Sequence, residues 1–564
     1  MRYNYTNMTL VFDEDKSNRK ITELLEKEEE ELVELLSGKY NLEYVNLQLT
    51  PVNADALRLI PESEAREALV VSFALIDKRL KIAARNPQDE KTAKILDNLR
   101  AKGYAPELYI TSLKSLNKAW LTYKDLSFSY ESKTGSLEIS SEEIGEIANQ
   151  AKSLSQVINI LNTVLSAKKS YRVSRILETT LAGALAIEAS DIHFEPEESS
   201  VRLRYRLDGV LHDALHFDNE TYALILSRIK LVSGLKLNIK KESQDGRISI
   251  KMSGREIEIR VSVLPGTYNE SIVMRVLDPR SIEIPLEDLG INAGLMAILD
   301  KEMTRPNGMI LTTGPTGSGK TTTLYAFLKK IYNPEVKIIT IEDPVEYHLK
   351  GIVQTQVNEK GYNFAEGLRA AVRQDPDIIM IGEIRDRETA EIAINSALTG
   401  HLVFSTLHTN DAAGSFPRLV DLGVNPKVMS SAIRVAMAQR LARKLCPYCK
   451  KEALLEGEPR DKIETVINSI VNKNLIPIDH TKVWTAVGCD KCNGTGYKGR
   501  IGIYEAILMN RKIADIIEVN PNEREIWDAA IDQGLLSMRQ DGVLKIIQGL
   551  TTLEELERVI ALTD

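Results

Sequence analysis

The stretch LTTGPTGSGKTTTLY, Leu311–Tyr325, decides the fold of the largest part of this sequence. It fits the pattern G-x-x-x-x-G-K-[ST] from Gly314 to Thr321, in which glycines let the backbone wrap so that successive N–H groups face a phosphate. The apolar run before it predicts a strand, and the run after it predicts a helix whose N-terminus favours an anion. A chance glycine-rich turn is the alternative, and this context argues against it. The stretch therefore predicts a nucleotide site.

Nine consecutive residues of the loop and the following helix are the predicted nucleotide-binding residues. They are Gly314, Pro315, Thr316, Gly317, Ser318, Gly319, Lys320, Thr321 and Thr322. In this motif the lysine ammonium reaches the β- and γ-phosphate oxygens, and the hydroxyl that follows it holds Mg²⁺. We therefore predict ATP and Mg²⁺ as ligands, with Lys320 on the phosphates and Thr321 on the metal.

Length, charge and hydrophobicity limit the number of domains and the classes of protein to which this sequence can belong. The chain has 564 residues, which at about 150 residues per domain predicts three or four domains. Its 72 basic and 80 acidic residues give a net charge of −8, which argues against a surface built to neutralise phosphates. We therefore predict no nucleic-acid partner and keep a nucleic-acid translocase only as a remote alternative. No apolar run approaches the roughly 18 residues of a membrane span, and the N-terminus lacks a signal-peptide core, so we predict a cytoplasmic protein.

Two further buried-strand patterns end in acidic residues, which an ATPase needs to hold its metal and to orient water. The first, KIITIEDPVE, ends in Glu342, Asp343 and Glu346, and the second, DIIMIGEIRD, ends in Glu383, Arg385 and Asp386. The second resembles a Walker B strand in which Gly382 displaces the acid by one residue. The alternative is that these acids only cap the strand ends in solvent.

Histidines and arginines near these strands are further candidates. GHLVFSTLHTN carries His401 and His408 at the two ends of a predicted strand, and their odd spacing puts them on opposite faces, which argues against a shared metal. Each is either a hydrogen-bonded structural histidine or a contact to phosphate or to a neighbouring subunit. Arg369 and Arg373 share one face of a predicted helix, where solvation is the simpler interpretation.

All four cysteines fall in two C-x₂-C pairs, Cys446 with Cys449 and Cys489 with Cys492. Each pair offers two thiolates at the separation that tetrahedral zinc requires. Four thiolates leave no open coordination position, so we predict a structural zinc rather than a catalytic one. Reduced thiols without metal are the alternative. The long insert between the pairs predicts a subdomain whose two ends are joined by the metal.

Ordered motifs along residues 40–564 resemble those of the secretion ATPases of type II secretion and type IV pilus assembly. They are ASDIHFEP, YRLDGVL, QDGRI, RVSVLP, VMRVLD, the phosphate loop, TIEDPVE, RQDPDIIMIGEIRD, TGHLVFSTLHTND, AQRLARKLCPYCK, GYKGRIGIYE and GLTTLEEL. One of these would be a weak signal, whereas the ordered set is highly specific. The N-terminal NADALRLIPESEAREALVVSF is similar to the family's first domain.

The residues and the resemblance together imply an α/β multidomain fold. Residues 1–125 would form a small N-terminal α/β domain that docks a partner, with 1–39 left uninterpreted, and 126–165 would form a linker. Residues 166–285 would form a PAS-like α+β second domain that roofs the ATP site. Residues 286–564 would form a RecA-like P-loop ATPase domain with a tetracysteine zinc subdomain at 446–492.

The resemblance also implies roles for individual residues. Glu383 is similar to the Walker B glutamate that helps Thr321 hold Mg²⁺, and Glu346 matches the acid that polarises the attacking water. Arg260 and Arg275 match arginines that the second domain presents to the phosphates. Residues that match further arginines near the site and the family's His box are Arg369, Arg373, Arg385, His401 and His408.

For function, the resemblance implies a homohexameric ATPase at the inner face of the cell membrane that drives pilin polymerisation in type IV pilus assembly. A type II secretion pseudopilus motor is the main alternative, and a nucleotide-binding scaffold without turnover is a third. The implied partners are a polytopic inner-membrane platform protein and the cytoplasmic domain of a membrane-associated assembly protein, which docks the first domain. That domain lacks the leucine-rich glycine motif that binds cyclic di-GMP in some relatives, so this ligand is not predicted.

Overall fold

The computed structural model describes residues 30, 32–50, 52–57, 59–76, 78–125, 129–132, 136–139, 151–166, 172–252, 255–278, 284–358 and 361–562. The chain divides into two compact units, one of 1–128 with 168–175 and the other of 129–167 with 176–564. Most of the uninterpreted segment 1–39 and part of the predicted linker 126–165 lie outside the described residues. The domain boundaries named above stay predictions.

The first unit contains a three-stranded sheet packed against helices. Its elements are α1 Ala54–Leu57, α2 Glu62–Glu67, β1 Val70–Ile76, β2 Arg79–Ala84, α3 Glu90–Ala101, β3 Ala105–Ile110 and α4 Leu113–Leu121. β2 pairs antiparallel with β1 and parallel with β3. The Ser112 side chain caps α4 by accepting from the Ser115 amide. The buried Trp120 of α4 donates its indole N–H to the Val70 carbonyl oxygen at 3.1 Å, which fixes this helix on β1.

The second unit begins with an eight-stranded sheet of order β4-β5-β9-β10-β11-β6-β7-β8. The elements of this part are β4 Ser129–Ser132, β5 Ser136–Ile139, α5 Leu154–Leu165, α6 Arg172–Ala186, β6 Asp191–Pro196, β7 Val201–Leu207, β8 Val210–Phe217, α7 Asn219–Val232, β9 Gln244–Met252, β10 Arg255–Leu264 and β11 Ser271–Leu277. β7 alternates buried apolar residues with half-buried arginines, so one sheet face packs on helices and the other is charged. Two short strands and one helix thus fall within the range predicted as linker.

The same unit continues into a seven-stranded sheet of order β14-β13-β15-β16-β12-β17-β20, parallel except for the edge strand β20. Its elements up to the last parallel strand are α8 Ala293–Met303, β12 Gly308–Thr313, α9 Lys320–Ile331, β13 Ile338–Glu342, β14 Val353–Gln356, α10 Phe364–Val372, β15 Ile378–Ile381, α11 Arg387–Leu398, β16 Leu402–Leu407, α12 Ser415–Asp421, α13 Pro426–Ala432 and β17 Ile433–Leu445. β12 and β16 are buried throughout, as expected for parallel strands covered on both faces.

The C-terminal elements complete this sheet and carry the cysteine insert. They are β18 Lys451–Leu454, α14 Gly457–Asn468, β19 Lys482–Thr485, β20 Tyr497–Leu508, α15 Arg511–Val519, α16 Glu523–Ala530, α17 Met538–Ile547 and α18 Leu553–Val559. β18 and β19 form a separate two-stranded sheet between the two cysteine pairs. Among the described helices, none is long and apolar enough to cross a membrane.

Candidate nucleotide site and metal centre

The loop between β12 and α9 has the backbone geometry of a phosphate cradle. Gly314, Gly317 and Gly319 have φ angles of 146°, 81° and 89°, a region that residues with a side chain rarely adopt. A Cβ at Gly314 would lie 2.5 Å from the Gln439 carbonyl oxygen, and one at Gly319 would lie 2.8 Å from Gln439 Nε2. The loop therefore needs glycine at these positions, and a polyphosphate fits the donor set that the loop and the start of α9 provide.

The Lys320 side chain lies inside this cradle. Its Nζ donates to the carbonyl oxygens of Gly314 and Pro315 at 2.7 and 3.1 Å. Burial lowers the pKa of Lys320 to about 8, against the opposing effect of Glu383 and together with Arg440. The ammonium is thus held by neutral carbonyls in a buried position, and an anionic phosphate would stabilise its charged form.

Acidic side chains gather where β13 and β15 end. These strands pair in parallel, with Ile341 opposite Ile381, so the residues that follow them share one edge of the sheet. The Glu383 side chain is 13% exposed and forms an ion pair with Arg385, and His408 Nε2 lies 3.2 Å from Glu383 Oε2. The Glu383 carboxylate raises the pKa of Lys320 against the effect of burial, so its charge acts on the lysine in the cradle. A carboxylate and a threonine hydroxyl at one edge are oxygen ligands that suit Mg²⁺.

The second candidate acid, Glu346, is contacted from the eight-stranded sheet. Arg260 of β10 places its Nη2 atom 3.5 Å from Glu346 Oε2 and 3.5 Å from the carbonyl oxygen of Val345. This contact joins the two sheets of the second unit at the residue that sequence resemblance assigns to the attacking water. The structure therefore brings Arg260 and Glu346 together.

Several other predicted residues pair with residues of neighbouring elements. Arg275 pairs with Asp191, the Arg275 Nε atom lying 3.1 Å from Asp191 Oδ1. Arg369 pairs with Glu388. Three predicted residues remain. Arg373 is the C-cap residue of α10. Arg385 Nη1 also lies 3.8 Å from Asp343 Oδ2, and His401 Nδ1 lies 3.1 Å from the Ser396 carbonyl oxygen.

Two functional candidates on β17, Gln439 and Arg440, were missed by the sequence reasoning. Gln439 accepts from the Thr323 hydroxyl at 2.9 Å, and its backbone and amide close the cradle behind Gly314 and Gly319. Arg440 donates to the Asn410 carbonyl oxygen at 2.6 Å, and burial lowers its pKa. A glutamine–arginine pair inside the apolar run of β17 is the signal that could have identified them.

A third residue that sequence reasoning left without a role is Glu342 on β13. This carboxylate is buried, accepts from the Tyr325 hydroxyl and from Gln354 Nε2, and has a pKa raised by burial. Its donors are all inside the domain, which indicates that it fixes the strand end from which Asp343 and Glu346 follow.

The four cysteine sulfurs form a compact cluster. The Sγ atoms of Cys446 and Cys489 lie 3.9 Å apart, those of Cys449 and Cys492 3.8 Å, and those of Cys489 and Cys492 3.7 Å. All four lie within 4.8 Å of one another. A tetrahedral zinc with Zn–S bonds of about 2.3 Å requires sulfurs about 3.8 Å apart. The cluster therefore fits a closed S₄ metal site.

A phosphate loop after an inner strand of a largely parallel sheet, with acids at the same sheet edge, defines a RecA-like P-loop ATPase fold. Residues 166–558 match the family described as "Type II/IV secretion system protein", and residues 40–123 match the MshEN domain. The chain belongs to the Type II/IV secretion system protein family. The predicted family, fold class and ATPase activity are thus confirmed.

The similar proteins include one named for type IV pilus assembly and one named for type II secretion. The type IV pilus assembly ATPase PilB of Myxococcus xanthus is 38% identical over 539 residues, which covers 94% of this chain and 90% of that protein. The type II secretion system protein E of Pseudomonas aeruginosa is 40% identical over 503 residues, which covers 89% of this chain and 96% of that protein. The DotB ATPase structure from Yersinia pseudotuberculosis matches with a TM-score of 0.50 at 21% identity, covering 69% of this chain and 94% of that one, and supports the fold alone.

Proposed function

We propose that ATP binds on the phosphate loop beneath the eight-stranded sheet and is hydrolysed by in-line attack of water. The observation that carries this proposal is the contact between Arg260 and Glu346, because it brings a cation of one sheet to an acid at the nucleotide edge of the other. In such reactions catalysis is mostly positioning and charge stabilisation. The contact supports a site that is complete only when the two sheets are closed on each other.

The proposed roles follow from the chemistry of each side chain. Lys320 binds the phosphates, and Mg²⁺, held by Thr321 and Glu383, supplies neutralisation of phosphate charge. Glu346 orients and polarises the attacking water. Arg260 and Arg275 stabilise the charge that develops on the transferred phosphoryl group, as arginine fingers do. Arg385 and His408 hold Glu383 in place, and the candidates for phosphate or subunit contacts are Arg369, Arg373 and His401.

At the level of the assembly, the proposed protein is a homohexamer that works in the cytoplasm on the inner face of the cell membrane. Its proposed partners are a polytopic inner-membrane platform protein and the cytoplasmic domain of a membrane-associated assembly protein, which docks residues 1–125. The names of the two relatives, a pilus assembly ATPase and a type II secretion protein, support this setting.

Type IV pilus assembly is the proposed process. It is favoured because the similarity to the PilB protein extends over 94% of this chain, the first domain included. Type II secretion is the second candidate, favoured by the 40% identity to the Pseudomonas aeruginosa secretion protein. In both processes the same nucleotide chemistry would drive the addition of pilin-like subunits.

The two processes are distinguished in the host organism with a Glu346→Gln chromosomal variant. Surface filaments are counted by electron microscopy, and secreted proteins are assayed in parallel. Loss of filaments with normal secretion is the expected result. Loss of secreted proteins with filaments intact would assign the chain to type II secretion instead. Glu335→Gln, an exposed residue before β13, is the matched control and should leave both readouts unchanged.

We further propose that the four cysteines bind one structural Zn²⁺ per chain. The sulfur separations support this, and so does the amide of Gly496, which donates to Cys492 Sγ at 3.2 Å and stabilises a thiolate there. With four sulfur ligands the metal has no open position, so its contribution is to the stability of the insert that carries β18, α14 and β19.

A further inference from the structure

A row of charged residues crosses five strands of the eight-stranded sheet. Directly opposite one another stand Arg247 on β9, Arg260 on β10, Arg275 on β11, Asp191 on β6 and Arg206 on β7. Residues directly opposite in neighbouring strands project from the same face of a sheet. Four arginines and one carboxylate therefore share one line on the charged face, with Arg275 at its middle, and Arg260 beside it reaches Glu346.

Asp191 is the carboxylate of this row, and it is buried. Its Oδ1 atom accepts from Arg275 Nε at 3.1 Å, while its Oδ2 atom lies 3.2 Å from Arg206 Nε and accepts from the Ser190 hydroxyl at 2.8 Å. The Asp191 side chain is 7% exposed, whereas that of Arg275 is 60% exposed. The carboxylate thus lies beneath Arg275 and accepts a hydrogen bond from its Nε atom.

The two arginines that share Asp191 differ in what their terminal nitrogens do. Arg206 donates from Nη1 to the Gly209 carbonyl oxygen at 3.2 Å, and its Nη2 lies 3.4 Å from His193 Nε2. For Arg275 the described residues supply no partner to either Nη atom. Two guanidinium groups and one carboxylate together carry a net charge of about +1. The more exposed of the two guanidinium groups is that of Arg275, so this positive charge is accessible to solvent there. An arginine that is fixed at Nε and has both Nη atoms in solvent can bind a second anion through those two atoms.

We propose that Asp191 is a positioning residue for ATP hydrolysis: it fixes Arg275 at Nε so that the Nη fork is aimed at the nucleotide phosphates when the sheets close. This inference rests on the proposed function of Arg275. Holding the side chain in advance reduces the rotamer freedom that would otherwise be lost at the transition state. Without the carboxylate, Arg275 and Arg206 repel each other and Arg275 leaves its aimed position.

The test measures steady-state ATPase kinetics of the full-length chain for Asp191→Ala, Asp191→Asn, Arg275→Ala and the double variant Asp191→Ala with Arg275→Ala. We expect Asp191→Ala to lower kcat roughly 10- to 100-fold and to change KM for ATP less than about threefold. The double variant should match Arg275→Ala within about twofold, because Asp191 acts through Arg275. Asp191→Asn keeps an oxygen for Nε and should recover part of the loss.

Glu195→Ala is the matched control. Glu195 lies on the same strand and face as Asp191 and also pairs with two arginines, Arg204 at 2.5 Å and Arg202 at 3.3 Å, but it stands outside the row. It should keep kcat within about twofold of the unmodified chain, since it does not touch Arg275. The thermal unfolding midpoints of Glu195→Ala and Asp191→Asn show whether losing a carboxylate from this face unfolds the sheet.

The outcomes separate this inference from the proposed function. If Arg275→Ala keeps full kcat, the arginine-finger role of Arg275 fails, and the role of Asp191 fails with it. If Arg275→Ala is impaired while both Asp191 variants turn over normally, only the positioning role is overturned. A double variant that is slower than Arg275→Ala by the full factor of Asp191→Ala would also overturn it, because the two residues would then act independently.

Discussion

At the residue scale, Lys320 carries a charge that the protein alone stabilises poorly. Burial lowers its pKa from 10.5 to about 8, and a bound polyphosphate should raise it again because the nearby anion favours the ammonium. Nucleotide binding is therefore linked to proton binding. We expect the Kd for ADP to rise as pH increases above about 8, by up to roughly tenfold per pH unit until the pKa of the bound state is reached. Isothermal titration calorimetry across this range measures it.

Lys320→Arg is the control for this pH dependence, because a guanidinium stays charged throughout the window. Its Kd should be nearly independent of pH, and an equally steep rise in this variant would assign the titration to another group. The same pKa has the opposite consequence for the free protein. Between about pH 8 and 10.5 the unfolded lysine binds a proton that the folded lysine has lost, so this residue adds stability as pH rises through the window.

Glu346 is the residue whose change should separate binding from chemistry. Glu346→Gln keeps the size of the side chain and removes the carboxylate that would polarise water, so kcat should fall about 10²- to 10⁴-fold. The Kd for ATP should stay within about threefold, because the phosphate loop is unchanged. Phosphate release and equilibrium ATP binding are the two measurements, with Glu335→Gln as control. A variant that loses ATP binding would show that Glu346 holds the nucleotide rather than the water.

At the element scale, the cysteine cluster holds together more than its own insert. Asn493, one residue after Cys492, accepts from the Leu154 amide at 2.8 Å where α5 begins. Elemental analysis should find about one zinc per chain, and Cys446→Ser should lose it. Since the metal fixes the loop that carries Asn493, metal loss should also speed hydrogen exchange at the Leu154 amide.

Asn493→Gly separates these two effects. It keeps all four thiols, tolerates the positive φ of 54° at this position, and removes the acceptor for Leu154. The variant should bind zinc normally and still expose the Leu154 amide. A protected amide in metal-free Cys446→Ser would contradict the connection between zinc and α5, and a folded wild-type chain without zinc would favour free thiols.

The elements differ in how far sequence alone could define them. The glycines of the phosphate loop and the paired cysteines were predicted because each motif is defined by the spacing of residues close together in sequence. Such a motif can be identified without knowing which distant residues it contacts. Gln439 and Arg440 were missed because they approach the loop only through the pairing of β12 with β17, Thr313 lying opposite Ala438. Such pairing is set by the whole sheet, and residue spacing within β17 does not report it.

Long-range strand pairing also limits what the sequence predicts for the eight-stranded sheet. β5 alternates polar and apolar residues over only four positions, SLEI, inside a polar, serine-containing stretch, and it becomes a strand by pairing in parallel with β9, Leu137 opposite Ile250. The partner of Arg275 was likewise hidden, because Asp191 reaches it only through the register of β6 with β11. Sequence thus predicted which residues bear the chemistry, whereas the long-range register determined which of them meet.

At the scale of the whole molecule, the proposed ring should couple its sites. Arg260 lies on the eight-stranded sheet, and Glu346 follows a strand of the seven-stranded sheet. Closure over one nucleotide therefore moves one sheet relative to the other. In a closed ring the sheet that moves also contacts the neighbouring subunit. Rings are formed by co-expressing wild-type and Glu346→Gln chains with different tags, and their composition is measured by mass spectrometry. If one inactive subunit stalls a ring, a mutant share of about one fifth should reduce ATPase activity to roughly 26%, the fraction of hexamers with no mutant subunit.

Independent sites would behave differently, because activity would then fall only in proportion to the mutant share, to about 80% in the same mixture. Glu335→Gln mixed at the same ratio should cause no loss, which controls for the tags and for co-expression. Sedimentation of the mixture establishes whether six chains are present. A proportional decline in confirmed hexamers would mean that each subunit completes its cycle alone, and full activity in a sedimenting monomer would remove the ring from the mechanism altogether.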